Sequence, residues 1–331
     1  MRLSVLDQSP VAAGLRPAEA LRETIRLARA TEAMGYHRFW VAEHHASPGF
    51  AGTTPELLAM AVLDATGRMR VGTGGVLLAQ HDPRRISESF DILAALHPGR
   101  VDLGVGRAGT ADPDMFTDKL VQLHKSLHLM PDDESRTDLN FWLLGAGRGS
   151  APLAATLGAG YAHAHFLNAT SGRPAILQYA STFAPTNHRA HPEGLGAVRV
   201  ITAPTSDEAD RLADSVRLWR ARKDLGLDQP FPNCTDSVIS GWSEQELSHR
   251  ADHDQRMIVG EPVTVVKQLK RLSRQMGVDE LMISTPLPRF DDRIRSFELI
   301  EQAMHEVFTS GIDSYTSSGR TALTSESTSN L

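Results

Sequence analysis

RVDLGVGRAGT, residues 100–110, sets Gly104, Gly106 and Gly109 in the spacing G-x-G-x-x-G at the end of an apolar run with strand character. Read as the phosphate turn of a dinucleotide-binding unit, it makes the chain a doubly wound open sheet. That fingerprint needs a helix opening directly on the last glycine and an acidic residue further along. The stretch from Ala108 to Pro113 gives no immediate helix N-terminus.

The flanking sequence offers another reading. Upstream, a strand at 2–6 (RLSVL) precedes a helix opened by Pro17. Ala18, Leu21, Ile25 and Ala28 lie on one face of that helix, and Gly35 closes it. Strand 37–42, helix 55–66, strand 69–78, helix 84–96 and strand 100–106 follow, so the units recur at roughly 30-residue intervals. Downstream come helix 115–129, strand 140–145, helix 150–158, strand 161–166, helix 172–182 and strand 197–203. A helical region at 206–223, an irregular polar stretch at 226–257, helix 262–276, strand 280–284 and a last helix at about 291–308 complete the order. Eight strands, each apolar on both faces and each followed by a helix, predict an α/β chain folded as a (β/α)8 TIM barrel over residues 1–309. The doubly wound sheet is the alternative. The Ser/Thr-rich tail 310–331 carries little apolar content and is expected to be disordered.

Composition narrows the function classes. The 331 residues are 41% hydrophobic and 22% charged, with a net charge of −6 and no basic run, which sets aside nucleic acid and anionic membranes as partners and favours a small molecule. A single cysteine, Cys234, excludes an internal disulfide and a cysteine-ligated cluster and is read as an inert buried thiol. No leader pattern opens the chain and no apolar run approaches ~20 residues, so a cytoplasmic location is expected.

A barrel brings its strand ends to one rim, and this chain places chemistry there. In order these ends carry Asp7-Gln8, Glu43-His44-His45, Gln80-His81, Gly106-Arg107 and the loop Gly145 to Ser150. Imidazoles beside a carboxylate supply proton transfer; an arginine and a Gly/Ser loop form an anion-binding corner. Along Trp40-Val-Ala-Glu-His44 the alternation sends Glu43 and His44 to different sides, so they do not share a metal ion, and no H-E-x-x-H zinc pattern is present. Whether His44 or His45 is functional or merely structural stays open at this level. Gly74 and Gly75, inside a strand, mark either a bulge or the approach of a flat ligand. The backbone amides of residues 145–150, with Arg148 and Ser150, either hold a phosphate or form a plain turn. His163 and His165 at i, i+2 suggest a metal-dependent barrel hydrolase, but the neighbouring strand ends lack a carboxylate. Satisfied core histidines are the simpler reading, and no metal is expected.

The motifs W-V-A-E-H-H (40–45), V-G-T-G-G-V-L-L (71–78), H-x-P (81–83), L-H-P-G-R-V-D-L-G-V-G-R (96–107) and W-L-L-G (142–145) resemble those of the bacterial luciferase-like flavin-dependent monooxygenases. V-G-E-P (259–262), G-V-D-E-L-M (277–282) and R-S-F-E-L (295–299) extend the resemblance over most of residues 1–305. It implies a (β/α)8 barrel that takes reduced FMN from a separate reductase and reacts it with O2 through a flavin 4a-hydroperoxide. It also implies a homodimer. His44, with His45, matches the catalytic position. Thr73 and a non-prolyl cis peptide at Gly74-Gly75 match the contact with the flavin ring, while Arg107 and the loop Gly147, Arg148, Gly149 and Ser150 match the FMN phosphate site. Asp7 and His81 are expected in the substrate pocket. Gly106 stands where luciferases carry a reactive cysteine, which argues against light emission. The chain looks most like the branch of tailoring oxygenases that hydroxylate or epoxidise aromatic polyketides in antibiotic biosynthesis. Deazaflavin-dependent hydride transfer and a non-catalytic flavin-binding protein are the alternatives within the same fold.

Overall fold

The computed structural model describes residues 1–107, 111–128, 139–147, 149–233 and 241–318. The first half contains β1 (Arg2–Asp7), α1 (Pro17–Ala33), β2 (Arg38–Val41), α2 (Pro55–Ala65), β3 (Arg70–Thr73), β4 (Val76–Leu77), α3 (Pro83–Leu96), β5 (Val101–Gly106) and α4 (Pro113–His128). The second contains β6 (Asn140–Gly145), α5 (Ser150–Thr156), β7 (Gly160–Ala164), α6 (Gly172–Thr182), β8 (Gly194–Thr202), α7 (Ser206–Asp224), α8 (Glu244–Asp254), β9 (Met257–Gly260), α9 (Pro262–Met276), β10 (Glu280–Ser284) and α10 (Phe290–Ser318). Proline opens α1, α2, α3 and α9 at the first turn, where its missing N–H costs no helical hydrogen bond.

All the strand pairs are parallel, and β10 bonds both to β8 and back to β1, so the sheet is a closed barrel. The closure rules out the doubly wound open sheet. β3 and β4 are two parts of one wall strand: from Val71 to Val76 the chain advances five residues while β5 advances four, from Val101 to Val105. The extra residue is a bulge at Thr73 to Gly75, and the Gly74–Gly75 peptide within it is cis. β9 begins at the last residue of the stretch expected to be irregular and fills the gap before the helix at 262, where no strand was expected. It pairs with Arg199 to Thr202 on the side of β8 opposite β10, continuing the wall where β7 stops at Ala164. α10 runs on past Ser310, where a tail was expected to begin, as far as Ser318; residues 319–331 lie outside the described residues.

Alternation along the strands sorts two apolar layers. Val5, Phe39, Val41, Val71, Leu103 and Val105 join the helices in the outer core, while Leu6, Trp40, Trp142, Leu195, Ala197 and Met282 fill the barrel interior. Gly104 belongs to this packing: a Cβ there would lie 2.1 Å from the Thr73 carbonyl oxygen. Gly106 is open by comparison, its nearest neighbour being Leu144 Cβ at 3.8 Å. Gly109 lies outside the described residues.

Charged groups close the N-terminal foot of the barrel. Arg38, 1% exposed, donates from Nε to Glu280 at 2.7 Å and from Nη1 to Asp102 at 2.9 Å. Trp40 Nε1 and Arg70 Nε also donate to Asp102, at 2.9 and 2.8 Å, and Ser4 donates to Glu280 at 2.6 Å. Burial opposes ionisation on both sides, yet the opposite charges outweigh it: the Arg38 pKa is held up and the Asp102 pKa held down.

Candidate active site at the C-terminal mouth

At the other end of the barrel the rim residues divide into two groups according to strand alternation. Leu6, Trp40 and Met282 face inward, and the same parity carries inward Gln8 beyond β1, His44 beyond β2 and Ser284 at the end of β10. These three meet. The Ser284 hydroxyl lies 3.4 Å from Gln8 Oε1, and Gln8 Nε2 lies 3.4 Å from His44 Nε2. With Ser284 donating to the amide oxygen, the amide nitrogen donates to the imidazole, and the ring proton sits on Nδ1. That Nδ1 is buried and has no partner among the described residues.

The His44 ring stacks on Phe50 at 4.0 Å, and Phe50 packs edge-on against Trp219 and Phe231, which stack on each other at 4.4 Å. Trp219 thus belongs to a buried aromatic cap. Lys223 of α7 lies over the Phe50 and Trp219 rings. Burial, reinforced by Lys223, pushes the His44 pKa down to about 4, so the imidazole is neutral near neutral pH.

A stability window follows. His165, pushed down to about 4 by burial and by His163, behaves alike. Unfolded histidine titrates near 6.5, so between that value and about 4 the unfolded chain binds protons that the fold refuses. Stability is full above this range and falls as pH drops through it, on the order of 3 kcal/mol for His44 alone. Urea midpoints at pH 7, 5.5 and 4.5 measure this fall, and His44→Gln removes the His44 share of it while that of His165 remains.

Glu43 forms the second group. Its buried carboxylate accepts from His45 Nε2 at 2.5 Å and His81 Nε2 at 2.7 Å through one oxygen, and from the Leu77 amide at 2.7 Å through the other. The opposite placement of Glu43 and His44 follows the expected alternation. His45 and His81 therefore share a carboxylate rather than the His44 site. Among the described residues, Glu43, His45 and His81 are the one cluster whose ligand atoms converge, all within 4.8 Å, closely enough for a metal ion. No metal was expected from the sequence, which did not single out this trio.

Other expected residues fall elsewhere. Asp7 shares the parity of Val5 and faces the helix layer, where Oδ1 lies 3.9 Å from Arg293 of α10, itself paired with Glu23 of α1. Gln8 holds the inward place expected of Asp7. Thr73 turns its hydroxyl into the wall, donating to the Gly104 carbonyl at 2.8 Å and accepting its amide at 3.1 Å. A Cβ at Gly74 would meet Leu6 at 2.6 Å and one at Gly75 the Gly104 oxygen at 2.8 Å, so wall packing already requires both glycines. Arg107 is exposed and donates to the Ala111 carbonyl at 3.2 Å. Extending the β5–β6 register, Val105 opposite Leu143, puts Arg107 beside Gly145 and the loop that follows. In that loop Gly147 and Gly149 have open space where a side chain would be, Ser150 begins α5, and Arg148 lies outside the described residues. His163 is fully buried, with Nε2 bonded to the Asn168 carbonyl at 2.9 Å, while β7 ends before His165, so the pair does not form a hydrolase site.

No helix among the described residues is long and apolar enough to cross a membrane. A family model described as luciferase-like monooxygenase matches residues 1–132. N-acetyl-S-alkylcysteine monooxygenase of Bacillus subtilis strain 168 is 30% identical over 341 residues, covering 92% of this chain and 98% of the relative. The crystal structure of apo-MsnO8 superimposes with a TM-score of 0.84 at 34% identity, covering 92% of this chain and 98% of that one. Two further structures share the fold at low identity: the oxygenating constituent of 3,6-diketocamphane monooxygenase from Pseudomonas putida in complex with FMN (16%, TM-score 0.66, coverage 92% and 98%) and an F420-dependent secondary alcohol dehydrogenase (15%, TM-score 0.65, coverage 91% and 98%). Matched along nearly its whole length in sequence and in barrel architecture, the chain belongs to the luciferase-like monooxygenase family.

Proposed function

We propose that the protein is a cytoplasmic FMNH2- and O2-dependent monooxygenase of a small organic substrate, of the aromatic polyketide type, with reduced flavin supplied by a separate reductase. The observation that carries this reading is the buried His44 Nδ1 at the mouth, a proton donor with no acceptor among the described residues. The residues present fit the cofactor. Arg107, with donors to spare beyond Ala111, the open backbone at Gly147 and Gly149 and the first helical residue, Ser150, would hold the phosphate, and Gly74–Gly75 would border the ring. Bound there, reduced FMN supplies the electrons that activate O2 for transfer of one oxygen atom. His44 holds its proton at Nδ1 toward the reacting atoms, Gln8 fixes its tautomer, and Phe50, Trp219 and Phe231 exclude water. Leu57 of α2 with Ile92 and Leu96 of α3, each more than half exposed, support a homodimer.

Anaerobic titration with reduced FMN tests the reading. The wild-type protein binds it, and Arg107→Ala raises the Kd about 10- to 100-fold. Absence of reduced-FMN binding overturns the proposal, and an unchanged Kd removes Arg107 from the phosphate site. Hydride transfer with a deazaflavin is the second reading, favoured by the fold shared with the F420-dependent dehydrogenase; tighter binding of the deazaflavin in the same titration selects it.

A further inference from the structure

A second polar group at the mouth is left without a partner. Arg199 of β8 follows Leu195 and Ala197 on the inward parity of the strand, at its C-terminal half, and is 7% exposed. Its guanidinium lies 5.5 Å from the Phe166 ring, itself packed on the interior cluster. Among the described residues, Nε is buried with no hydrogen-bond partner and no carboxylate pairs with the group. The charged groups that act on it, Arg220 and Arg256, repel it, and together with burial they push its pKa down to about 10, still cationic at neutral pH. Every other arginine buried to this degree among the described residues has acidic partners: Arg38 has Asp102 and Glu280, Arg217 has Asp214 and Asp254, Arg293 has Glu23. A buried cation without a counter-charge is costly unless a ligand supplies one.

The neighbours of Arg199 place it in the site. Its register partner on β10 is Ser284, the residue that orients Gln8 toward His44. Arg199 thus stands two strands from β1, about 10 Å around the wall. We propose that Arg199 receives a carboxylate of the substrate and sets the distance from that group to the atom presented to His44. This rests on the monooxygenase reading and narrows its substrate class to aromatic or apolar organic acids. A planar guanidinium beside an aromatic ring suits a carboxylate, which it can bind through two donors.

The test uses the flavin-free protein with benzoate and its neutral isostere benzamide, read by isothermal titration. Wild type binds benzoate about tenfold or more tightly than benzamide. Arg199→Met abolishes the preference, Arg199→Lys retains part of it, and the melting temperature of Arg199→Met is equal to or above that of wild type, because the variant removes an uncompensated buried charge. Should Arg199→Met fail to fold, Arg199→Gln gives the same comparison. Benzoate that does not bind, or binds no better than benzamide, overturns the proposal, as does a preference that survives the substitution. The affinity of Arg199→Met for reduced FMN stays within about twofold of wild type. A loss there as large as the loss for benzoate assigns the arginine to the cofactor instead. Because the benzoate comparison involves neither flavin nor turnover, failure of the monooxygenase reading leaves it unaffected.

Discussion

His44→Ala lowers oxygenated product formation about 100-fold or more while leaving reduced-FMN affinity within about twofold of wild type. The imidazole is packed against Phe50 and the aromatic cap, its Nε2 is engaged by Gln8, and its remaining N–H is buried with no acceptor among the described residues. A group in that state contributes to the fold mainly through ring stacking, which His44→Phe would partly restore, and to chemistry through its one proton. Activity and flavin binding therefore separate: the alanine and phenylalanine variants lose turnover together, and neither loses the cofactor. Gln8→Leu gives a milder loss, because it frees the tautomer without removing the ring. With a pKa of about 4, His44 imposes no step on the activity profile between pH 6 and 8. An equal loss of flavin affinity and turnover in His44→Ala makes the residue structural and sinks this assignment.

Arg38→Met has the largest expected effect on stability, about 3–5 kcal/mol out of a total that for ordinary domains is about 5–15. The side chain sits between Asp102 and Glu280, each at most 1% exposed, and its removal leaves two buried carboxylates facing each other without a cation between them. Arg70 still reaches Asp102, and the half-exposed Arg2 still reaches Glu280 at 3.3 Å, but neither bridges the two carboxylates as Arg38 does. Urea unfolding followed by far-ultraviolet circular dichroism should show either a large fall in midpoint or no folded baseline. Adding Asp102→Asn and Glu280→Gln to Arg38→Met removes the stranded charges and recovers a large part of the loss. A single variant within about 1 kcal/mol of wild type refutes the account. Flavin binding by whatever protein remains folded should be normal, since the network lies at the foot and the site at the mouth.

Much of the architecture is legible in the sequence because each β-α unit carries its own punctuation: Pro17, Pro55, Pro83 and Pro262 open helices, and Gly35 and Gly277 close them with positive φ. β9 is missed because Met257 to Gly260 is four residues long and its pairing partner, β8, is distant in sequence. Placing Asp7 in the pocket fails for a different reason. In a barrel wall both faces of a strand are apolar, so alternation fixes which residues share a face without saying which face is inside. Val5 and Leu6 are equally apolar, and only the packed helices show that Leu6, and with it Gln8, points inward. At β2, Glu43 and His44 fare better, since they merely had to be opposite. Arg199 had no local signal at all: in AVRVITA it reads as one polar residue in a strand, and its isolation is a property of the tertiary structure.

The pairing of β8 bears on how this enzyme can be altered. Residues 195–197 are bonded between β7 and β10, Arg199 between β9 and β10, and residues 200–202 continue along β9. Flanked in this way, the strand has little freedom to drift, so a side chain exchanged at position 199 inherits a fixed origin from which to reach the ligand. Reprogramming acid selectivity is then a matter of side-chain length and charge at a single surveyed point, with the backbone serving as a ruler that mutation does not move.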